Sequence, residues 1–189
     1  MRHLALEFVG TVRRKGQEGI SDAFDSSTGF ADWLRDNDDL IDLDTDGFAA
    51  DDEVRARVVA LRWAVRTLFS RAVPDYPEGR PDASSLLDPT AALAEVNSAA
   101  AAVLRAPQLD GARLWFRQTD ADPTTRLLAE LARAAIEFLT GPARDRLRAC
   151  PAPRCTRYFV PDHPRQAWCK TSCGNRARAS RHYHRHQAD

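Results

Sequence analysis

The feature that most constrains this chain is the placement of its four cysteines, which all lie between residues 150 and 173. They follow the spacing C-x4-C-x13-C-x3-C, so that two close pairs stand on either side of a loop. Two such pairs are typical of a tetrahedral zinc site to which each pair gives two thiolates. We therefore predict one structural zinc ion with these ligands: Cys150, Cys155, Cys169 and Cys173.

Other uses of the four cysteines remain open at this stage, namely two disulfide bonds or unrelated free thiols. The chain opens with Met1-Arg2-His3 and shows no apolar signal segment, so we expect a cytoplasmic protein, in which zinc is favoured over disulfides. The second cysteine pair could also form a site with His182 and His186, but the first pair would then be unused. Four thiolates close the coordination shell, and we expect no zinc catalysis.

Charge is divided unevenly along the chain, although the formal net charge is zero. Residues 141–189 contain 11 Lys and Arg against 3 Asp and Glu, which leaves 16 against 24 for residues 1–140. No apolar run approaches the roughly 20 residues that cross a bilayer, so no membrane partner is expected. We predict an acidic body, residues 1–140, and a basic module, residues 141–189, that meets an anionic partner.

Apolar periodicity predicts an α+β fold for the body, mostly α-helical with a small β element. The expected helices are a short one over 30–35 and longer ones over 51–72, 90–104 and 123–139. The best strand is 112–119, paired with the segment around Leu109 through Asp110-Gly111. The weaker assignments are a strand over 4–9 (without excluding a helical turn), a loop over 13–27 and a helix-compatible segment over 143–149.

The body carries no motif that indicates catalysis, so we expect no enzyme. Its one histidine is His3, it has no cysteine, and it lacks glycine-rich phosphate-binding and nucleophile-elbow motifs. The aspartate-rich segment 36–46 is interpreted as a solvated surface, because its spacing lacks the ligand order of a calcium loop.

Residues 173–186, after the last cysteine, are rich in alanine and arginine and predict a helix. At 100° per residue, Arg178, Arg181 and Arg185 fall on one face, which we predict to contact nucleic acid. Lys170 and Arg176 are predicted as secondary contacts. A different side, with Arg176, Ala179 and Tyr183, is expected to pack against the body or the zinc knuckles. The alternatives are a solvated helix, docking on the chain's own acidic body, or a protein partner.

The same segment resembles a known module. Cys173-Gly174-Asn175-Arg176 spells CGNR and follows Trp168-Cys169, so residues 150–186 resemble the CGNR zinc finger, a treble-clef-like module. The body resembles the ABATE domain that usually precedes this finger in stress-induced transcription regulators of bacteria. Three pieces carry that second likeness: 6–11, 32–34 and 93–97. Gly10, Pro161 and Gln166-Ala167 depart from the usual pattern.

The resemblance implies a zinc-dependent DNA-binding transcriptional regulator whose body senses a small-molecule ligand or forms a homodimer. The alternative is a protein–protein interaction module in which the zinc finger is purely structural. An enzyme acting in a pocket of the body is a third reading, which no residue pattern supports.

Overall fold

The computed structural model describes residues 2–14, 19–43 and 47–186, and it consists of a helical body followed by a small cysteine-rich module. The helices of the body are α1 (Leu4–Val9), α2 (Ser27–Arg35), α3 (Asp52–Ala72), α4 (Pro89–Ala101) and α5 (Pro123–Thr140). Its strands form two antiparallel hairpins, β1 (Val12–Arg14) with β2 (Ile20–Asp22) and β3 (Arg105–Asp110) with β4 (Arg113–Gln118). The module contributes β5 (Arg148–Ala149), β6 (Tyr158–Phe159) and α6 (Thr171–His186). The predicted α+β class is confirmed.

The long helices begin where the sequence places aspartates. The side chains of Asp51, Asp88 and Asp122 accept hydrogen bonds from backbone N–H groups in the first turns of α3, α4 and α5. Such caps satisfy donors that have no partner within the helix, and the negative charge lies at the positive end of the helix dipole. These carboxylates therefore define the starts of the three helices.

The core of the body is formed by the inner faces of α3 and α5, packed against α1, α2 and α4. Val58, Leu61 and Val65 on α3 are fully buried, as the apolar spacing predicts. The ring of Phe69 on α3 stacks on that of Phe138 on α5, with centroids 5.0 Å apart. Within the described part of the chain, no helix is long and apolar enough to span a membrane.

Residues 4–9 form helix α1, the alternative that the prediction of a strand left open, because Leu4, Ala5, Phe8 and Val9 share one buried side at helical spacing. Two other local predictions were wrong. The predicted loop over 13–27 contains the β1–β2 hairpin. Residues 143–149 form a 3-10 turn followed by β5, since Arg148 and Ala149 pair with β6.

Helix α4 buries Ala92 and Val96, whereas Leu93 is exposed. The aspartates of the described part of segment 36–46 form no metal cluster, and residues 44–46 lie outside the described residues.

Two arginines of α3 are fully buried in the body, one turn apart. Arg62 pairs with Asp22 of β2 and donates to Thr11 Oγ1 at 2.9 Å. Arg66 pairs with Asp82, which is itself fully buried and also pairs with Arg80. Ionised side chains are tolerated in a protein core when they are paired with an opposite charge and hydrogen-bonded, as these are.

The Arg62–Asp22 pair leads to a prediction about pH. Burial by itself raises the pKa of Asp22, but hydrogen bonds from Arg62 more than offset it and hold this pKa below its ordinary value. The contribution of the pair to stability is therefore complete above the unfolded-state pKa of about 3.9 and is lost as the pH falls through the folded-state pKa. We expect Asp22→Asn to lower the free energy of unfolding by about 2 kcal/mol at pH 7.

Denaturant unfolding at pH 7 and at progressively lower pH checks this expectation. The difference in the free energy of unfolding between wild type and Asp22→Asn should shrink below about pH 4. Effects of pH that are common to both proteins cancel in this difference. Asp25→Asn, an exposed neighbour, serves as the control and should change the free energy by less than about 0.5 kcal/mol. A difference between wild type and Asp22→Asn that stays constant with pH would contradict the ion-pair explanation.

Candidate zinc centre and its basic helix

The first two cysteines are held by a short turn that follows β5. The backbone N–H of Cys150 donates to Arg157 O at 2.9 Å, which continues the pairing of β5 with β6. The N–H of Cys155 donates to Ala152 O at 3.0 Å, and Arg154 takes a left-handed φ of 58° between them. This tight reversal turns both sulfurs toward the same point.

The other two cysteines lie at the beginning of α6. The N–H groups of Cys173 and Gly174 both donate to Lys170 O, at 3.0 and 3.4 Å. Cys173 is thus in the first turn of a helix, where the positive end of the helix dipole favours a thiolate. The turn between β5 and β6 and the start of α6 each hold two cysteines, which is a treble-clef-like arrangement.

The four sulfur atoms converge on one point, and all lie within 4.8 Å of one another. The Sγ–Sγ distances from Cys155 to Cys169 and Cys173 are 3.8 and 3.9 Å, and Cys169 lies 3.5 Å from Cys173. A tetrahedron with zinc–sulfur bonds of about 2.3 Å has edges of about 3.8 Å. The sulfurs are therefore positioned for one zinc ion, whereas a disulfide would require about 2.05 Å.

The proton chemistry of the cluster also suits a divalent cation. A hydrogen bond from Cys150 lowers the pKa of Cys155 far below its usual range, while the same contact raises the pKa of Cys150 to about 11. Hydrogen bonds with these two residues also raise the pKa of Cys169. One thiolate thus opposes the ionisation of its neighbours, and a doubly charged cation at the centre would remove that conflict.

Gly174 is required by the packing of Trp168. A Cβ atom at position 174 would lie 2.9 Å from Trp168 Cδ1 and 3.3 Å from its Nε1. The indole ring therefore lies directly on the helix backbone, next to Cys173. This contact explains why glycine follows the last cysteine in this chain.

Arg176 belongs to the metal site itself. Its Nη2 lies 3.4 Å from Cys173 Sγ, to which it donates, and its Nε donates to Pro153 O at 3.0 Å. A guanidinium in this position offsets part of the negative charge of a four-thiolate zinc site and joins α6 to the first cysteine turn. The helical spacing predicted that the side of α6 with Arg176 packs on the rest of the molecule, but it did not predict the contact of Arg176 with Cys173 Sγ.

The remaining predicted basic contacts lie on the surface of the module. Arg178, Arg181 and Lys170 are exposed, and Arg178 Nη2 donates to Asn175 Oδ1 at 2.6 Å. The side chain of Arg185 lies outside the described part of the structure, although its backbone continues α6. The side chains of His182 and His186 also lie outside the described part, so the structure does not test their use as ligands.

The side of α6 that packs inward was predicted correctly for Arg176 and incorrectly for Ala179 and Tyr183. Cys173, Gly174 and Ala177 are buried, whereas Ala179 and Tyr183, which we expected to pack, are exposed. Cys173 determines this orientation, because its sulfur must face the other three.

The module is joined to the body through residues that the sequence did not single out. Arg66 Nη2 donates to Thr156 O at 2.9 Å, and Thr156 Oγ1 donates to Val12 O at 2.9 Å. Tyr158 is buried, with its ring 5.6 Å from that of Phe69. Arg62 and Arg66 occur at i and i+4 among the apolar positions of α3, and this was the one signal that could have revealed them.

The body has an open cleft of about 800 Å³ between the segment 41–54 and the start of α5. Its lining includes Phe48, Val54 and Arg126. The two carboxylates Asp51 and Asp122 that also line it serve as the caps of α3 and α5. The cleft thus has the size of a small-molecule site, and these two carboxylates already have structural roles.

The fold and the site together define a zinc-finger protein with a helical N-terminal body. Comparison with protein families agrees: residues 2–142 match the ABATE family, described as "Putative stress-induced transcription regulator", and residues 146–186 match the CGNR zinc finger. Because the first match covers most of the chain, the protein belongs to the ABATE family. No curated protein matches the chain. The predicted family resemblance and the single structural zinc are thereby confirmed.

Proposed function

We propose that this protein is a zinc-dependent, DNA-binding transcriptional regulator of the bacterial cytoplasm. In this proposal residues 141–189 bind DNA, and residues 1–140 sense a small-molecule ligand or form a homodimer. The cysteines 150, 155, 169 and 173 hold the zinc ion, and the ion fixes the direction of α6. The observation that carries the proposal is the exposed basic face of a helix whose first turn belongs to a zinc site.

The charges of this face support contact with a polyanion. Arg178 and Arg181 are exposed, and neither forms an ion pair with a carboxylate in the part of the chain that the structure describes. Docking of these two arginines on the chain's own acidic body is therefore not supported. The major groove of DNA is wide enough to admit an α-helix, and an arginine side chain can bind phosphate or guanine with two parallel hydrogen bonds. Arg185 belongs to this face by its spacing, and Lys170 and Arg176 add positive charge near the start of the helix.

The cleft near Phe48 supports the sensing role of the body, since its size is that of a site for a small metabolite. An enzymatic role has no comparable support, because both matched families are of the regulator or zinc-finger type.

A protein-interaction module is the second candidate, and one observation favours it. The zinc module packs on the body of its own chain through Thr156 and Tyr158, and this protein contact supports a role of the module in protein interaction. In that case the zinc finger would stabilise a docking surface, and α6 would have no DNA ligand.

DNA binding by the full chain, followed by fluorescence anisotropy of a mixed-sequence duplex across a salt series, separates the two candidates. Four or five phosphate contacts predict a slope of roughly −4 in a plot of log affinity against log salt. Replacing Arg178, Arg181 and Arg185 together with alanine should weaken binding and reduce the slope by about 3.

The matched control removes the same number of exposed arginines from helices of the body: Arg35, Arg57 and Arg71. This control should retain the wild-type slope. Absence of binding, binding that does not depend on salt, or an equal loss in both triple variants would contradict the proposal and favour the protein-interaction module.

A further inference from the structure

The β3–β4 hairpin carries an unusual share of the exposed apolar side chains of the described chain. Leu109 and Leu114 are 79% and 65% exposed, and Leu104, Trp115 and Phe116 are exposed as well. A two-stranded hairpin is marginally stable by itself in water. Exposed apolar side chains concentrated on such an element indicate an interaction surface.

The hydrogen-bond pattern shows which backbone groups of the hairpin point away from it. Thr119 N donates to Leu104 O at 3.0 Å, so this pair belongs to the hydrogen-bonded set. In an antiparallel ladder this set alternates with pairs whose N–H and C=O groups point outward. From the register of β3 and β4, the outward residues on β4 are Leu114, Phe116 and Gln118, and Pro107 is outward on β3.

The two edges of the hairpin are therefore unequal. Proline has no N–H group, so Pro107 removes the central donor from the outer edge of β3. The outer edge of β4 keeps all its donors and acceptors, and it contains no proline. An edge of this kind is a template for pairing with another strand.

We propose that β4 pairs antiparallel with β4 of a second copy of this chain, with Phe116 on the two-fold axis. When the outward N–H and C=O groups of one β4 pair with those of the other, two registers keep most of the strand paired. In one register residues 113–117 of the two copies are paired, and in the other residues 114–118. The first places Arg113 opposite Arg117 of the second copy, and like charges directly opposite are destabilising. The second places Phe116 opposite Phe116, and Arg117 opposite Trp115.

The second register also matches side chains that attract each other. Arg117 and Trp115 fall in a non-hydrogen-bonded pair, where side chains approach most closely, and a guanidinium over an indole ring is favourable. The hairpin already contains one such contact, since the guanidinium of Arg105 lies 4.7 Å from the centre of the Phe116 ring. The two hairpins would form one four-stranded antiparallel sheet.

This inference deepens the proposed function, because it gives the dimerising body a surface and a partner. A dimer presents two α6 helices, and two fingers bind more phosphates than one. Dimerisation is nevertheless measured without DNA, so failure of either proposal is distinguishable from failure of the other.

Sedimentation equilibrium of the zinc-loaded full chain tests the surface. We expect a dimer whose dissociation constant rises at least about tenfold in Phe116→Lys, because two positive charges then meet on the axis. Leu109→Lys is the matched control, an exposed leucine of the same hairpin on the blocked edge, and it should change the constant by less than about threefold. A monomeric wild type, or an equal effect of both variants, overturns the proposal.

Disulfide trapping tests the register. Cα atoms of residues opposite one another in a hydrogen-bonded pair are about 5.5 Å apart, within disulfide range, so Phe116→Cys should form a covalent dimer under mild oxidation. In the same register Leu114 lies opposite residue 118 of the second copy, so the two Leu114 residues are four positions, about 13 Å, apart along the strands. Leu114→Cys should therefore form no covalent dimer. Equal trapping at both positions, or trapping at 114 alone, contradicts pairing centred on Phe116.

Discussion

Replacing Cys173 with serine is expected to release the zinc ion, to unfold the module and to weaken the body. Cys173 is buried, and its sulfur lies within 3.9 Å of the sulfurs of both Cys155 and Cys169. The module has a small core, formed by the cysteines with Ala152, Phe159 and Trp168. Its folding free energy must therefore come largely from zinc binding, which is worth on the order of 10 kcal/mol in zinc-finger peptides.

The effect should extend into the body, because the module contributes to the main core. Tyr158 packs on Phe69, and Thr156 accepts a hydrogen bond from Arg66 through its carbonyl oxygen. Loss of these contacts should lower the free energy of unfolding of the body by about 2–4 kcal/mol.

Metal analysis together with calorimetry measures both consequences of Cys173→Ser. The variant should contain less than stoichiometric zinc and melt at a lower temperature than wild type. Ser172→Ala, a change at an exposed neighbour in the same helical turn, is the control and should retain zinc and the wild-type melting temperature. One zinc ion per chain with unchanged melting in Cys173→Ser would contradict this account of the module.

Replacing Arg66 with methionine should have the second largest effect, a loss of about 3–5 kcal/mol in the free energy of unfolding. The side chains of Arg66 and Asp82 are both fully buried, and Arg66 also donates to the carbonyl oxygens of Val9 and Thr156. Methionine fills much of the space, but it leaves a buried carboxylate and two buried carbonyl groups without this donor. Arg80 still pairs with Asp82 and limits the loss.

Denaturant unfolding of three variants separates charge from geometry. Arg66→Lys keeps the positive charge but loses the planar fork, so its stability should lie between those of wild type and Arg66→Met. Arg57→Met, on the exposed side of the same helix, should change the free energy by less than about 0.5 kcal/mol. Equal, small effects of Arg66→Met and Arg57→Met would show that the buried network is not a stabilising element.

The sequence predicted best those features that depend on neighbouring residues. The four metal ligands follow from the spacing within two short turns, and α3 and α5 follow from apolar positions at steps of three and four. The short helix α1 was ambiguous because six residues satisfy both a strand and a helical turn. Its helical form depends on where Phe8 packs, against Phe24 and Trp33, and this contact lies outside the segment.

Features that depend on distant parts of the chain were not predictable from pattern. The polar β1–β2 hairpin is held to α3 by the pair Asp22–Arg62, 40 positions apart. Arg176 was predicted to lie on the packing side of α6 and to be a secondary contact for nucleic acid, but its position beside Cys173 depends on the carbonyl of Pro153, 23 positions away. In both cases the contact joins residues that are distant in sequence, so local spacing could not predict it.

The most direct test is X-ray absorption spectroscopy at the zinc edge on the purified protein. The account predicts one zinc ion per chain, surrounded by four sulfur atoms at about 2.3 Å with no nitrogen or oxygen ligand. A protein purified without metal, or a zinc ion with histidine or water among its ligands, would contradict the claim that four thiolates close around one ion and hold α6 in place.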